Sequence, residues 1–304
     1  MSRASTQVWF RSLSGNARGA LFMVVAASLY SVMAALIKFA GQGLPVIQIL
    51  LVRQVVMTII VAPAVVRSFP GSLATRNPGL QFLRVVAAIV AMVCGFGALV
   101  HLPLANATAI AFSKSFFTTI FAIVLLGEVV GWRRWMAVVV GFAGVIVMAH
   151  PGTGEFSVYS VLAVVGALAA GFVMVIIRYM ARTDTPLTIL TYQAIFLGLA
   201  VAGPAIYYWQ PPTPSEWFAL VGVGAVGYVS QMANIMAYKE GEASVMAIFD
   251  YLRLIFAVLL GFYAFGEVPD LFTGIGAVIV VGSALYTVHR DTRRKAAIAG
   301  EAKA

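Results

Sequence analysis

"ANATAIAFSKSFFTTIFAIVLLGE" (105–128) and "SVMAIFDYLRLIFAVLLGFYAFGE" (244–267) decide how this chain is read. Each is an apolar run of membrane-spanning length that ends in Gly-Glu and carries a cation near its middle. Setting Gly127-Glu128 on Gly266-Glu267, an offset of 139, places Phe112 on Tyr251, Lys114 on Arg253 and Phe117 on Phe256. A slip of one residue then brings Gly144 onto Gly282 in the run that follows. The two stretches read as copies of one unit.

The rest of the sequence supplies the unit. Of 304 residues, 62% are hydrophobic and 10% charged, and mean hydropathy is +0.97, whereas a soluble domain carries about a quarter charged residues. The apolar residues fall in blocks of about twenty, the length of a helix that crosses a hydrocarbon core. Strand alternation of the outer-membrane kind is absent. An all-α integral membrane fold follows, with ten transmembrane helices expected at 19–40, 44–66, 79–100, 103–126, 132–149, 157–178, 186–208, 215–237, 243–265 and 270–289.

Five spans per copy is an odd number, so the second copy enters from the opposite side, giving two inverted five-helix repeats, 19–149 and 157–289. Residues 1–18 and 290–304 are the flanking segments, and "RSFPGSLATRNPG" (67–79) reads as an irregular loop. The basic start followed by an apolar run resembles a signal peptide, but that run is of spanning length and the repeat needs it, so it is read as retained.

The +9 charge is distributed by topology. Arg3, Arg11, Arg18, Arg67, Arg76, Arg84, Arg133, Arg134, Arg178, Arg182, Lys239, Arg290, Arg293, Arg294, Lys295 and Lys303 fall at span ends on one side, and the opposite connections hold no Lys or Arg. The positive-inside rule therefore puts both termini of this multi-pass chain on the cytoplasmic side of its membrane. No basic face is left for a nucleic acid.

Lys38, Arg53, Lys114 and Arg253 remain, all inside spans, with Asp250 three residues before Arg253. Charges buried in a bilayer usually face an interior cavity. Lys38 lies near a helix end and is expected to snorkel to the interface. Arg53 suits a cavity or a structural pair. Lys114 and Arg253, repeat mates near the midplane, are expected to line a shared substrate cavity. Ser113 and Ser115 offer hydroxyls there, and Phe112, Phe117, Phe249 and Tyr251 offer ring faces. Asp250 either neutralises Arg253 or carries a coupling proton, and an ion pair opposes the second role. Proton-coupled and facilitated transport both stay open.

Other motifs are set aside on their context. "GVGAVG" (222–227) lies inside a span, not after a strand, so it reads as close helix packing rather than a dinucleotide loop. His101, His150 and His289 are scattered without ligand spacing, so no metal is expected. Cys94, the single cysteine, is a packing residue. No nucleophile arrangement is present, and no catalytic residue or cofactor is expected. A membrane-embedded enzyme acting on lipids would need His or Asp clustered at one interface, and a channel suits inverted halves less well than a carrier does.

With "HLPLANATAIAF", "LLGE…RRWMAVVVGFAGVIVM" and the degenerate copy "FGEVPDLFTGIGAVIVVGSALY", the chain resembles the drug/metabolite transporter superfamily, EamA type, over its whole length. Lys114 stands where many relatives have proline in a pattern like "sPlf". The opening "NARGALFMVVAASLYSVMAALIK" is similar to the proteobacterial branch with riboflavin importers and S-adenosylmethionine carriers. The resemblance implies a secondary transporter of a small organic metabolite, with riboflavin import first and S-adenosylmethionine or an anionic or amino-acid-like solute, imported or exported, as the alternative. The bilayer and the solute are the expected partners, and a homo-oligomer stays open.

Overall fold

The computed structural model describes residues 14–127, 132–149, 157–180, 183–241, 243–283 and 286. Glu128, the connection at 150–156 and the tail 290–304, all used above, lie outside the described residues.

The expected spans are helices. They are α1 (Gly15–Ala40), α2 (Val46–Arg67), α3 (Pro78–His101), α4 (Leu104–Ala111), α5 (Lys114–Leu126), α6 (Trp132–Ala149), α7 (Val158–Met180), α8 (Pro186–Tyr192), α9 (Gly198–Tyr207), α10 (Pro214–Glu240), α11 (Ala243–Asp250), α12 (Leu252–Phe265) and α13 (Leu271–Ser283). Among the described residues, seven helices are long and apolar enough to cross a membrane. Three pairs of pieces make single spans: α4 with α5, α8 with α9 across a π-turn at Gln193–Leu197, and α11 with α12.

Helix starts follow local chemistry. Pro78, Pro186 and Pro214 occupy first-turn positions where a missing N–H costs nothing. Thr213 caps α10, and Glu216 reciprocates by accepting the Thr213 N–H at 2.7 Å. Gly127 and Gly266 end α5 and α12 at φ 66° and 68°, left-handed conformations that suit glycine.

The inverted repeat is visible in the packing. The most extensive helix contacts are α1 with α10 and α3 with α7, repeat-related pairs. Both pairs need small residues: a Cβ on Gly222 of α10 would stand 3.0 Å from Leu36 of α1, and one on Gly166 of α7 would stand 3.0 Å from the Gly95 nitrogen of α3. The "GVGAVG" run is thus a close crossing. Gln54 Nε2 donates to the Gln193 carbonyl at 2.9 Å, joining residues that are themselves 139 apart. Phe112-Ser113 and Tyr251 interrupt their spans at equivalent places. Exposed side chains such as Phe82, Phe218, Val124 and Val278 are apolar, as a lipid-facing surface requires.

Lys38 departs from expectation. Instead of snorkelling it is buried, 8% exposed. Its ammonium pairs with Glu267 and donates to the Leu102 carbonyl at 2.5 Å. Glu267 also accepts the Leu104 N–H at 2.7 Å, so one ion pair joins the end of α1, the α3–α4 turn and the end of α12. The partner lies 229 residues along the chain, which hides it from any local reading.

Removing one member of this pair leaves the other in a poor dielectric, a loss of about 3–5 kcal/mol. Lys38→Met should lower the melting temperature of the purified protein, and Lys38→Met with Glu267→Gln should regain much of the difference. A double variant as unstable as the single one would show that the pair is not what holds this corner.

Candidate functional site

The candidate site lies where α4 packs on α12 and α12 packs on α1. α5 begins at Lys114, and Arg253 is the second residue of α12. Each cation thus sits at a helix start, about ten residues or roughly 15 Å into its span. Helix N-termini add positive potential to that of the side chains.

Arg253 Nη2 donates to Asp250 Oδ1 at 2.8 Å, the expected i, i+3 pair. Its guanidinium lies 4.2 Å from the Tyr30 ring centroid and 5.8 Å from that of Phe112. Phe112 and Tyr251, repeat mates, face each other at 4.8 Å. Ser31 Oγ donates to the Arg253 carbonyl at 3.0 Å, fixing the start of α12 against α1. Across the repeat, α7 packs on α5 as α1 packs on α12, and there Gly171 makes the approach: a Cβ on it would stand 3.0 Å from the Lys114 carbonyl. α7 therefore presses directly on the α5 start, and glycine is required by that approach.

Lys114 is half-buried, its backbone carbonyl accepts from Thr118 Oγ1 at 2.7 Å, and its ammonium, within electrostatic reach of Arg253 and Asp250, makes no hydrogen bond or ion pair among the described residues. Ser113 is fully buried, and its Oγ has no partner. Arg53, 6% exposed, gives Nη1 to Gln54 Oε1 at 2.6 Å, while its Nε has no partner. The buried Nε of Arg253 has none either. An unsatisfied buried donor costs about 1–3 kcal/mol. Lys114 lies within electrostatic reach of Arg253 and Asp250, and Arg53 within reach of the Tyr30 that covers Arg253, so cationic donors outnumber the carboxylate of Asp250 there and would suit an acceptor-rich solute.

The structure does not bring every expected residue to that point. Ser115 is exposed, and its backbone carbonyl accepts from Thr119 Oγ1 at 3.1 Å. Phe117 packs edge-on to Phe142 at 6.1 Å, and its Cβ lies under Gly171, in the α5–α6–α7 contact. Phe249 packs with the cluster of Met23, Ala26, Ala233, Ala237 and Met246. Three ring-bearing or polar neighbours were not singled out by sequence. Tyr30 lies over Arg253 and within electrostatic reach of Arg53. Tyr238 is within reach of Asp250, Arg253 and Tyr30. Asn234 sits beside Tyr30. An aromatic residue in an apolar run carries no mark of its own; the contact to Arg253 is its signal, and that needs the fold.

Arg84 is also unlike its sequence reading. It does not flank a loop but is 0% exposed, nearly two turns into α3. Its donors go to Gln81 Oε1 at 3.2 Å, Gln193 Oε1 at 3.2 Å and the Ile189 carbonyl at 3.0 Å. In the connection before α8, Asp184 accepts from Thr75 Oγ1 at 2.5 Å, Gln81 Nε2 at 3.1 Å and the Arg76 N–H at 3.3 Å. Burial acts to raise the Asp184 carboxyl, but these bonds and one from Thr183 outweigh it and hold the carboxyl below its ordinary value. The stabilisation from Asp184 is therefore full above the unfolded carboxyl's value and lost as pH falls through the depressed folded one.

The orphaned Ser113 hydroxyl allows a separation of stability from binding. Ser113→Ala removes no hydrogen bond from the empty protein, so its melting temperature should stay unchanged or rise, while affinity for the transported solute should fall about tenfold. A fall in melting temperature with unchanged affinity would place the hydroxyl outside the solute's reach. Asp250→Asn, by contrast, should lower stability, and pairing it with Arg253→Gln should restore much of it.

Comparison with known proteins agrees with this architecture. The model of the EamA-like transporter family matches residues 17–149 and 158–288. The chain is 27% identical to an S-adenosylmethionine uptake transporter of Rickettsia prowazekii, over 90% of this chain and 92% of that protein. It is 30% identical to a pseudopaline exporter of Pseudomonas aeruginosa, over 86% and 93%. It is 28% identical to a riboflavin transporter of Brucella anthropi, over 89% and 98%. A crystal structure that is 19% identical superposes with a TM-score of 0.58 over 88% of this chain and 96% of that one, which shows the shared fold. Two family matches, one for each five-helix half, place this multi-span membrane protein in the EamA-like transporter family.

Proposed function

We propose that this chain carries a small organic metabolite across the bacterial cytoplasmic membrane by alternating access, with both termini in the cytoplasm, and that the solute is riboflavin. The observation that carries the reading is the surplus of unpartnered donors: Lys114 Nζ, Arg253 Nε, Arg53 Nε and Ser113 Oγ against the lone carboxylate of Asp250. A flavin ring offers carbonyl oxygens and ring nitrogens to such donors and a flat face to Phe112, Tyr251 or Tyr30. S-Adenosylmethionine fits less well, because its sulfonium and amine would meet Lys114 and Arg253. A second reading, an anionic or amino-acid-like metabolite, is supported by the unpaired Lys114 ammonium, which a carboxylate would satisfy.

One growth experiment separates the two. In a riboflavin-auxotrophic bacterium without its own importer, on limiting vitamin, the chain should restore growth, and Lys114→Met should cut uptake about tenfold or more, the worth of one charge-assisted hydrogen bond. No rescue with the protein present in the membrane would overturn riboflavin. The anionic reading would then be tested by thermal shift of the purified protein with organic acids. Orientation is checked in the same cells: an impermeant thiol reagent should label Thr213→Cys but not Arg76→Cys, both in a Cys94→Ser background.

A further inference from the structure

Two runs of hydrogen bonds meet at Gln193, one reaching the connection before α8 through the Gln193 side chain and the other reaching Arg53 through its backbone. Asp184 takes the Gln81 amide, Gln81 takes Arg84 Nε, and Arg84 Nη1 donates to the Gln193 side chain. The Gln193 backbone carbonyl accepts from the Gln54 side-chain amide, whose own oxygen accepts from Arg53 Nη1. Gln81 and Arg84 are 0% exposed and Gln54 is 1% exposed. Arg84 is bonded to neutral groups alone among the described residues.

A buried cation held by neutral acceptors is a poor way to stabilise a fold, since well-packed hydrocarbon of similar volume does as well or better. The second repeat shows this directly. At the offset of 139, Gln81 and Arg84 correspond to Leu220 and Val223, both fully buried in an apolar cluster. The same layer of the fold is therefore filled without charge on one side of the molecule and with charge on the other. Packing does not account for the difference. Gln193 also opens the π-turn, an irregularity frequent at functional positions.

We propose that Arg84 is a positioning residue for transport: through Gln193 and Gln54 it sets Arg53 in the cavity, and through Gln81 it links that placement to the clasp in which Asp184 holds Thr75 and Arg76. The inference rests on Arg53 being a cavity residue, as under the proposed function, and not on which solute is carried. A solute acceptor that engages Arg53 competes with Gln54 for its donors, and each partner along the chain then has a bond to give up or remake. Occupancy at mid-depth is thereby felt at the clasp between the α2–α3 and α7–α8 connections.

The test uses the full chain in lipid nanodiscs without solute, so its outcome is independent of riboflavin. Thr188 is 0% exposed beneath the clasp, bonded to Thr185 and Gly71. In a Cys94→Ser background, alkylation of Thr188→Cys by a maleimide reports clasp opening. Arg53→Met and Gln54→Leu, each remote from the clasp, should speed alkylation about threefold or more, as should Arg84→Lys, whose single ammonium cannot serve three acceptors. With the clasp already broken by Asp184→Asn, Arg53→Met should add nothing, because the two changes interrupt one chain. Lys114→Met removes a mid-depth charge that is not part of the chain and should leave the rate unchanged. Wild-type alkylation in both Arg53→Met and Gln54→Leu would overturn the proposal. So would equal acceleration by Lys114→Met, or full additivity with Asp184→Asn, since either would mean general loosening instead of transmission.

Discussion

Lys114 and Arg253 occupy equivalent depths in one molecule, and two like charges in a medium that screens poorly each raise the cost of the other. The surrounding structure answers that cost unequally. Arg253 receives a carboxylate from its own helix, the face of Tyr30, and a hydroxyl donated to its backbone by Ser31. Lys114 receives none of these, and the glycine across from it brings only backbone. Arg53, on the far side of Tyr30, keeps an unpartnered nitrogen. A protein that needed only to fold would have closed these gaps with acceptors or replaced the charges with hydrocarbon. Donors left idle in the empty state favour a bound solute, because satisfying them removes a penalty the protein already bears.

The same inequality runs through the repeat. Duplication supplies a scaffold in which each helix has a mate, and the shared features are those of backbone geometry: the paired αL glycines, the interrupted spans, the Gln54–Gln193 contact on the pseudo-axis. Where the copies differ, polar or charged side chains stand against apolar ones, Arg84 against Val223 and Ser31 against Ala170, while Lys114 and Arg253 keep the charge in unlike surroundings. Alternating access asks the two halves to exchange roles about a fixed site, yet a solute is not symmetric. Asymmetry concentrated in side chains over a symmetric backbone meets both demands.

Much of the backbone was legible in the sequence because the bilayer imposes it. A span must be long and apolar, and a connection must carry the cations, so the ten expected helices and their ends need no tertiary information. Lys114 and Arg253 drew attention to the spans 103–126 and 243–265, since a charge in an apolar run stands out, but both were expected as unbroken helices and only the fold shows the breaks beside those residues. Lys38 stood out equally, but its partner Glu267 closes a contact between the first helix and the end of α12, and only the fold brings them together. Arg84 was counted with the loop cations because hydropathy windows cannot resolve two turns of helix. Ser115, Phe117 and Phe249 were grouped with Lys114 by proximity in sequence, whereas a helix turns successive residues through 100° and sends neighbours to different partners.

Relatives of comparable identity carry names that refer to S-adenosylmethionine, pseudopaline and riboflavin. That spread follows from where specificity resides. A scaffold held by apolar burial, small-residue crossings and corner ion pairs tolerates exchange of the few side chains that make no bond in the empty protein, because those side chains contribute little to folding. Ser113, with a buried hydroxyl bonded to nothing, is the clearest case: its replacement is nearly free for the fold and consequential for whatever the site holds. On the function proposed above, the side chains least anchored in the empty protein, Lys114 and Ser113 foremost, would set its solute, while identity over the whole chain reports the family.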